Sequence, residues 1–128
     1  MFRGGNPQSF VAGAAVPQGR FVKLSSGKVI VAAAVSDDCI GVSLEAASAA
    51  DATALKTISI AMIDGQTVVE VEASEAIVID SLVGPTADGS ARVADTAGDA
   101  IMGRALSAAA ADGEFVSVLL QKQGKLYA

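Results

Sequence analysis

The stretch Phe21-Val22-Lys23-Leu24-Ser25-Ser26-Gly27-Lys28-Val29-Ile30-Val31 reads as strand, turn, strand. β-Branched and aromatic residues flank a Ser-Ser-Gly-Lys centre, the composition of a tight hairpin tip. Moving outward, Asp37-Asp38 marks the next turn. Cys39-Ile40-Gly41-Val42-Ser43-Leu44 then reads as a strand, with a glycine where backbones come close. Residues 46–54 are Ala-rich and read as a loop or one or two helical turns. Residues 57–62 alternate at period two, Asp64-Gly65 turns, and residues 66–73 alternate again with Val69 and Val71 opposite Glu70 and Glu72. Ala76-Ile77-Val78-Ile79, Ala91-Arg92-Val93, Ile101-Met102-Gly103-Arg104-Ala105-Leu106 and Phe115-Val116-Ser117-Val118-Leu119-Leu120 follow, with Asp88-Gly89 and Asp112-Gly113 as turns. Many short strands between Gly and Asp turns predict an all-β chain.

The pattern repeats at an offset of about 60 residues. Phe21-Val22 falls on Leu82-Val83, Ser26-Gly27 near Asp88-Gly89, and Val31 near Val93. Ile40-Gly41-Val42-Ser43-Leu44 falls on Met102-Gly103-Arg104-Ala105-Leu106, and Ile58-Ser59-Ile60 on Val116-Ser117-Val118. The prediction is a compact, pseudo-duplicated β-barrel or β-sandwich. Residues 1–19 are read as an extended N-terminal arm, residues 20–120 as a β domain with halves of about 20–62 and 81–120, and residues 121–128 as a short C-terminal tail. Gly4, Gly5, Pro7 and Pro17 keep the first segment from being helical. It is read as an arm lying on a neighbouring subunit, with a loose leader or an edge strand as the alternatives.

Composition narrows the chemistry. The chain has 128 residues, 52% of them hydrophobic but only 4% aromatic, and about a fifth are Ala. Without His it can build no Ser-His-Asp triad, no Cys-His pair and no HExxH zinc site. One Cys excludes an intrachain disulfide. The net charge of −5 and scarce aromatics argue against nucleic acid as a partner. Mean hydropathy is +0.50, yet no apolar run reaches the roughly 18 residues of a membrane span. Such hydropathy predicts surface buried between subunits. The apolar run at residues 10–16 is too short and too far from Arg3 for a signal peptide, so an unprocessed cytosolic chain is expected.

Val22 to Val31, Ile40-Gly41-Val42-Ser43-Leu44 with its Ala-rich continuation, Val69-Glu70-Val71, and the run from Gly103 through Leu120 resemble the small capsid cement (decoration) proteins of tailed bacteriophages. The resemblance spans most of residues 19–120. It implies a β-rich fold, homo-oligomers that are often trimers, binding to the major capsid protein on the outer capsid surface, and no catalysis. The alternative is a β-structured adhesion or ligand-binding module of a phage tail or fibre.

Other constellations have plainer readings. Asp37 and Asp38 could take a hard cation with Asp51 or Asp64, but turn chemistry accounts for them. Asp95, Gly98 and Asp99 lack calcium-loop spacing. Glu70, Glu72 and Glu75 could supply paired carboxylates, and are read as a solvated face. Ser26-Gly27-Lys28 lacks the glycine and hydroxyl of a phosphate loop and reads as a hairpin turn. Cys39 is read as a small buried hydrophobe, and Gly41 and Gly103 as close-packing positions. No catalytic, cofactor or metal residue is assigned. The candidate partner contacts are Phe2, Arg3, Phe10 and Val11 in the arm and Leu126 and Tyr127 in the tail, because aromatic and Arg side chains dominate interface energetics.

Overall fold

The computed structural model describes residues 7–125. Ten strands and one short helix follow in chain order: β1 (Gln8–Val11), β2 (Phe21–Ser25), β3 (Lys28–Val31), β4 (Gly41–Ser43), α1 (Ala49–Thr53), β5 (Thr57–Met62), β6 (Val68–Glu72), β7 (Leu82–Pro85), β8 (Ala91–Val93), β9 (Ala100–Ala105) and β10 (Phe115–Lys125). They form two five-stranded antiparallel sheets, in the orders β1-β5-β4-β2-β3 and β6-β10-β9-β7-β8. The second order is the first repeated with each strand advanced by five. One apolar cluster draws on both sheets, as a β-sandwich requires. The edges of each sheet touch at a single parallel bridge, Ala12 with Val29 and Ala73 with Ala91. Neither sheet closes into a barrel, so of the two predicted architectures the sandwich holds.

The repeat extends further upstream than the sequence reading placed it. β1 is an edge strand hydrogen-bonded to β5 in the chain's own sheet. Its counterpart β6 starts the second half. Beyond it, Ala12 and Val16 are fully buried. The bridge between Val16 and Ala47 recurs as that between Ile77 and Ala109. Gly19, at φ 78°, recurs as Asp80, at φ 76°. From Gln8 onward the expected arm is therefore an edge strand and buried connection of the first half. β10 likewise runs on to Lys125, into the expected tail, with a register shift between Leu120 and Gly124.

Matching rungs show why the glycines recur. Val22, Gly41 and Met62 lie side by side across β2, β4 and β5. Val83, Gly103 and Leu120 do so across β7, β9 and β10. A Cβ on Gly41 would fall 2.1 Å from the Ala61 carbonyl oxygen. One on Gly103 would fall 2.5 Å from a Val118 methyl and 2.6 Å from the Leu119 carbonyl oxygen. At both rungs only glycine fits the packing.

The β2–β3 hairpin turns through Ser26 (φ 53°) and Gly27 (φ 77°), two consecutive left-handed residues of the turn type favoured in two-residue hairpins. The single helical turn α1 is capped reciprocally: the Asp51 amide donates to Ser48 Oγ and the Ser48 amide to Asp51 Oδ2.

Candidate contact surface

Equivalent positions of the two halves have different surroundings, and that difference shows which faces are covered within the chain. On the outer face of the first sheet, Phe21, Val42 and Ala61 form one rung, and all three are fully buried. Their counterparts Leu82, Arg104 and Leu119 form the same rung and are only half-buried. On the inner side, Phe10, Ile40 and Met62 close the first core only in part. Their counterparts Val71, Met102 and Leu120 are fully buried with Phe21, Val42 and Ala61. The outer face of the first half thus covers the open end of the second half.

Polar contacts fix this joint. The Phe21 amide donates to the Gly89 carbonyl at 2.7 Å, and the Glu72 amide to the Gly19 carbonyl at 2.9 Å. Arg20 donates to the Asp88 carbonyl at 2.9 Å and to the Glu72 carboxylate at 3.2 Å. The β7–β8 turn that receives Phe21 is itself braced. Hydrogen bonds from Ser90 and Thr86 hold the Asp88 carboxyl down at about 2.

The candidate chemical groups are committed to structure. Asp37 Oδ2 accepts the Ala33 and Ala34 amides at 2.7 and 3.0 Å and pairs with Lys23 at 2.9 Å. Burial pushes its carboxyl up, but the Ala33 amide and Lys23 outweigh that and hold it below the usual range. Asp38 pairs with Lys122 at 2.7 Å. Asp64 caps its own turn by accepting the Gln66 and Thr67 amides. Asp99 repeats the role of Asp37, accepting the Asp95 and Thr96 amides and pairing with Arg92 at 2.6 Å. The cation has changed strand. Lys23 lies on β2 opposite Ile30, whereas Arg92 lies on β8 opposite Gly84, the counterpart of Lys23.

Of the three glutamates read as a solvated face, Glu70 is exposed, Glu72 holds Arg20, and Glu75 accepts the Val93 amide at 3.0 Å. Among the described residues no group of three or more His, Cys, Asp or Glu side chains could hold a metal. Cys39 is fully buried, and burial, with Asp37 and Asp38 adding to it, pushes its thiol up to about 12. Lys28 is exposed at its hairpin. No helix among the described residues is long and apolar enough to cross a membrane.

Of the residues read as partner contacts, Phe10 and Val11 lie on β1, half-buried, with Phe10 packed on the first core. Phe2, Arg3, Leu126 and Tyr127 lie outside the described residues. The sequence reading missed the outer-face residues Leu82, Leu106 and Leu119 and the exposed Phe115. Aligning the halves and asking where Phe21 and Val42 become Leu82 and Arg104 would have found the first group. Phe115 borders an open groove of about 410 Å3 with Gln18, Gly19, Ser43, Leu44, Val69 and Glu70. Within it the Ser43 hydroxyl is already bonded, donating to the Pro17 carbonyl at 2.7 Å.

No protein-family model matches the chain. No curated protein matches it either. Among solved structures, the chain is similar to the N base of head fiber gp8.5 of bacteriophage phi29, with a TM-score of 0.69 and 18% identity over 100% of both chains. The likeness establishes that the whole two-sheet fold, both halves included, exists in a solved structure.

Proposed function

We propose that this chain is a structural, non-catalytic protein of a phage virion that sits as a homo-oligomer on the outer capsid surface, binds the major capsid protein and stabilises the shell. The observation that carries this reading is the whole-length likeness to the phi29 head-fiber N base. At that identity the step from fold to function is analogy. Two features of the chain agree with it. Several of its charged side chains, in the pairs Arg20–Glu72, Lys23–Asp37 and Arg92–Asp99, are spent on turns and on the joint between halves. Several large apolar side chains, Leu24, Leu106 and Phe115 among them, are exposed, as a protein built for contacts requires. Weak single sites on a capsid lattice add up when each oligomer touches several shell subunits.

Gold-labelled antibody against the chain, applied to intact particles, should decorate the outside of the head. Particles made without the protein should release their DNA at a lower temperature. Equal heat stability of the two particle types would reject the cementing role. One feature favours the second reading, an adhesion or ligand-binding module of a tail or fibre: the exposed Phe115 ring on an open groove. Label confined to tails would select that reading.

A further inference from the structure

The joint between the halves is one-directional. The first half contributes an outer sheet face, and the second half contributes an open end and the β7–β8 turn. Were the halves related by a two-fold axis, Leu82 would sit on Gly27 as Phe21 sits on Gly89. A Cβ on Gly89 would fall 2.7 Å from the Phe21 carbonyl oxygen, whereas one on Gly27 meets nothing within 4 Å. Asp80, the counterpart of Gly19, turns its carbonyl instead to Arg104 at 3.0 Å.

Among the described residues, each half therefore retains the face that the other has used. The second half presents Leu82, Leu106 and Leu119 around Arg104, whose charge Asp80 already balances at 3.1 Å. The first half presents its open end, with Phe10, Ile40 and Met62 half-buried and Leu24 48% exposed. The counterpart of Leu24 is Pro85, which is buried. Charges have changed in step: the cation Arg20 becomes Ser81, and the carboxylates Glu72 and Asp88 that hold it become Val11 and Ser26 or Gly27. Apart from the Arg104–Asp80 pair, the residues named on the two unused faces are apolar.

We infer that a second copy of this chain fills the vacant joint: the outer face of one copy's second half (Leu82, Leu106, Leu119) covers the open end of the next copy's first half (Phe10, Leu24, Met62). Contacts of this head-to-tail kind close into a ring or run on as a filament. The inference deepens the oligomeric part of the proposed function, but it rests on the joint within the chain and does not require a capsid.

Two surface substitutions test it on the full chain. Leu106→Glu spoils the outer face of the second half, and Leu24→Glu spoils the open end of the first. By light scattering after size exclusion, the parent should have a mass of two or more times 12.7 kDa. Each variant alone should be monomeric, with cooperative thermal unfolding retained. An equimolar mixture should give a species of two chains and no more, because one good outer face meets one good open end. A monomeric parent, variants with the parent's mass, or a mixture that stays monomeric would each overturn the inference.

If either variant fails to fold, the double variant Leu106→Cys with Leu24→Cys replaces it. Its exposed thiols should give a ladder of multimers with a short bis-maleimide while buried Cys39 stays silent. Absence of the ladder would also overturn the inference. Antibody label on heads is a separate readout, so failure of the ring and failure of the virion reading are told apart.

Discussion

The two halves share one strand order, one set of rungs and the same bridges, yet among the described residues the open end of the second half is covered by the first, while the open end of the first half and the outer face of the second are left uncovered. Phe21 and Leu82 occupy the same rung position. One is sealed inside the molecule and the other is half in water. The difference teaches that the fold of each unit does not set its surroundings. The docking does, and two copies of a unit joined head to tail leave one open end and one outer face over.

The largest expected effect tests that contrast directly. Phe21→Ala should cost about 4 kcal/mol in urea unfolding of the isolated chain, because a fully buried ring is lost from the joint. Leu82→Ala should cost about 1 kcal/mol, since part of that side chain is already in water. Measured in the monomeric Leu24→Glu background, equal costs would break the comparison and mean that Leu82 is covered within the chain. Next comes Gly41→Ala, expected to cost about 3 kcal/mol because the obstacle is the backbone of β5. Gly103→Ala should cost less, since its nearest neighbour is a Val118 methyl, though the Leu119 carbonyl keeps it well above zero. Thermal unfolding of both variants would rank them.

A smaller contrast concerns the paired loops. Arg92→Ala leaves Asp99, whose side chain is 4% exposed, without its cation, and should cost about 2 kcal/mol. Lys23→Ala leaves the more accessible Asp37 and should cost about 1 kcal/mol or less. Denaturant midpoints of the two variants would measure the difference.

The smallest effect is the share of the pH dependence that Asp88 carries. The Asp88 carboxyl is held down at about 2, so its contribution is complete above the unfolded value near 4 and is lost as pH falls toward 2. Its side chain is 68% exposed, so water screens much of the gain. Asp88→Asn should flatten part of the stability profile between pH 4 and 2. The slope left by Asp37 and Asp64, whose carboxyls are also held low, should persist. No change in slope would mean that the turn is braced by its hydroxyls alone.

Much of this was legible in the chain. The turns at Ser26-Gly27, Asp64-Gly65 and Asp88-Gly89 stand where Gly and Asp marked them. The alternation of residues 57–62 became β5, and the coupled glycines Gly41 and Gly103 meet neighbouring backbone as their type implied. The upstream part of the repeat was hidden because its buried residues are small. Ala12 and Val16 match Ala73 and Ile77 without any periodic signal, and the shared left-handed position is Gly in one half and Asp in the other. The contact faces were hidden for a different reason. A half-buried Leu82 and a buried Phe21 are both apolar residues in strands, and only the three-dimensional docking separates them.

The displaced cation has a consequence for tracing the ancestry of such chains. What the two loops share is a carboxylate gathered by two amides and a cation within reach, and either side of a ladder rung supplies that cation. Read position by position, Lys23 against Gly84 and Ile30 against Arg92 are two mismatches. Read as a pair across the rung, nothing has been lost. Substitutions of this kind erase sequence likeness while leaving the electrostatics of the loop intact, and a fold can outlast its own alphabet by that route.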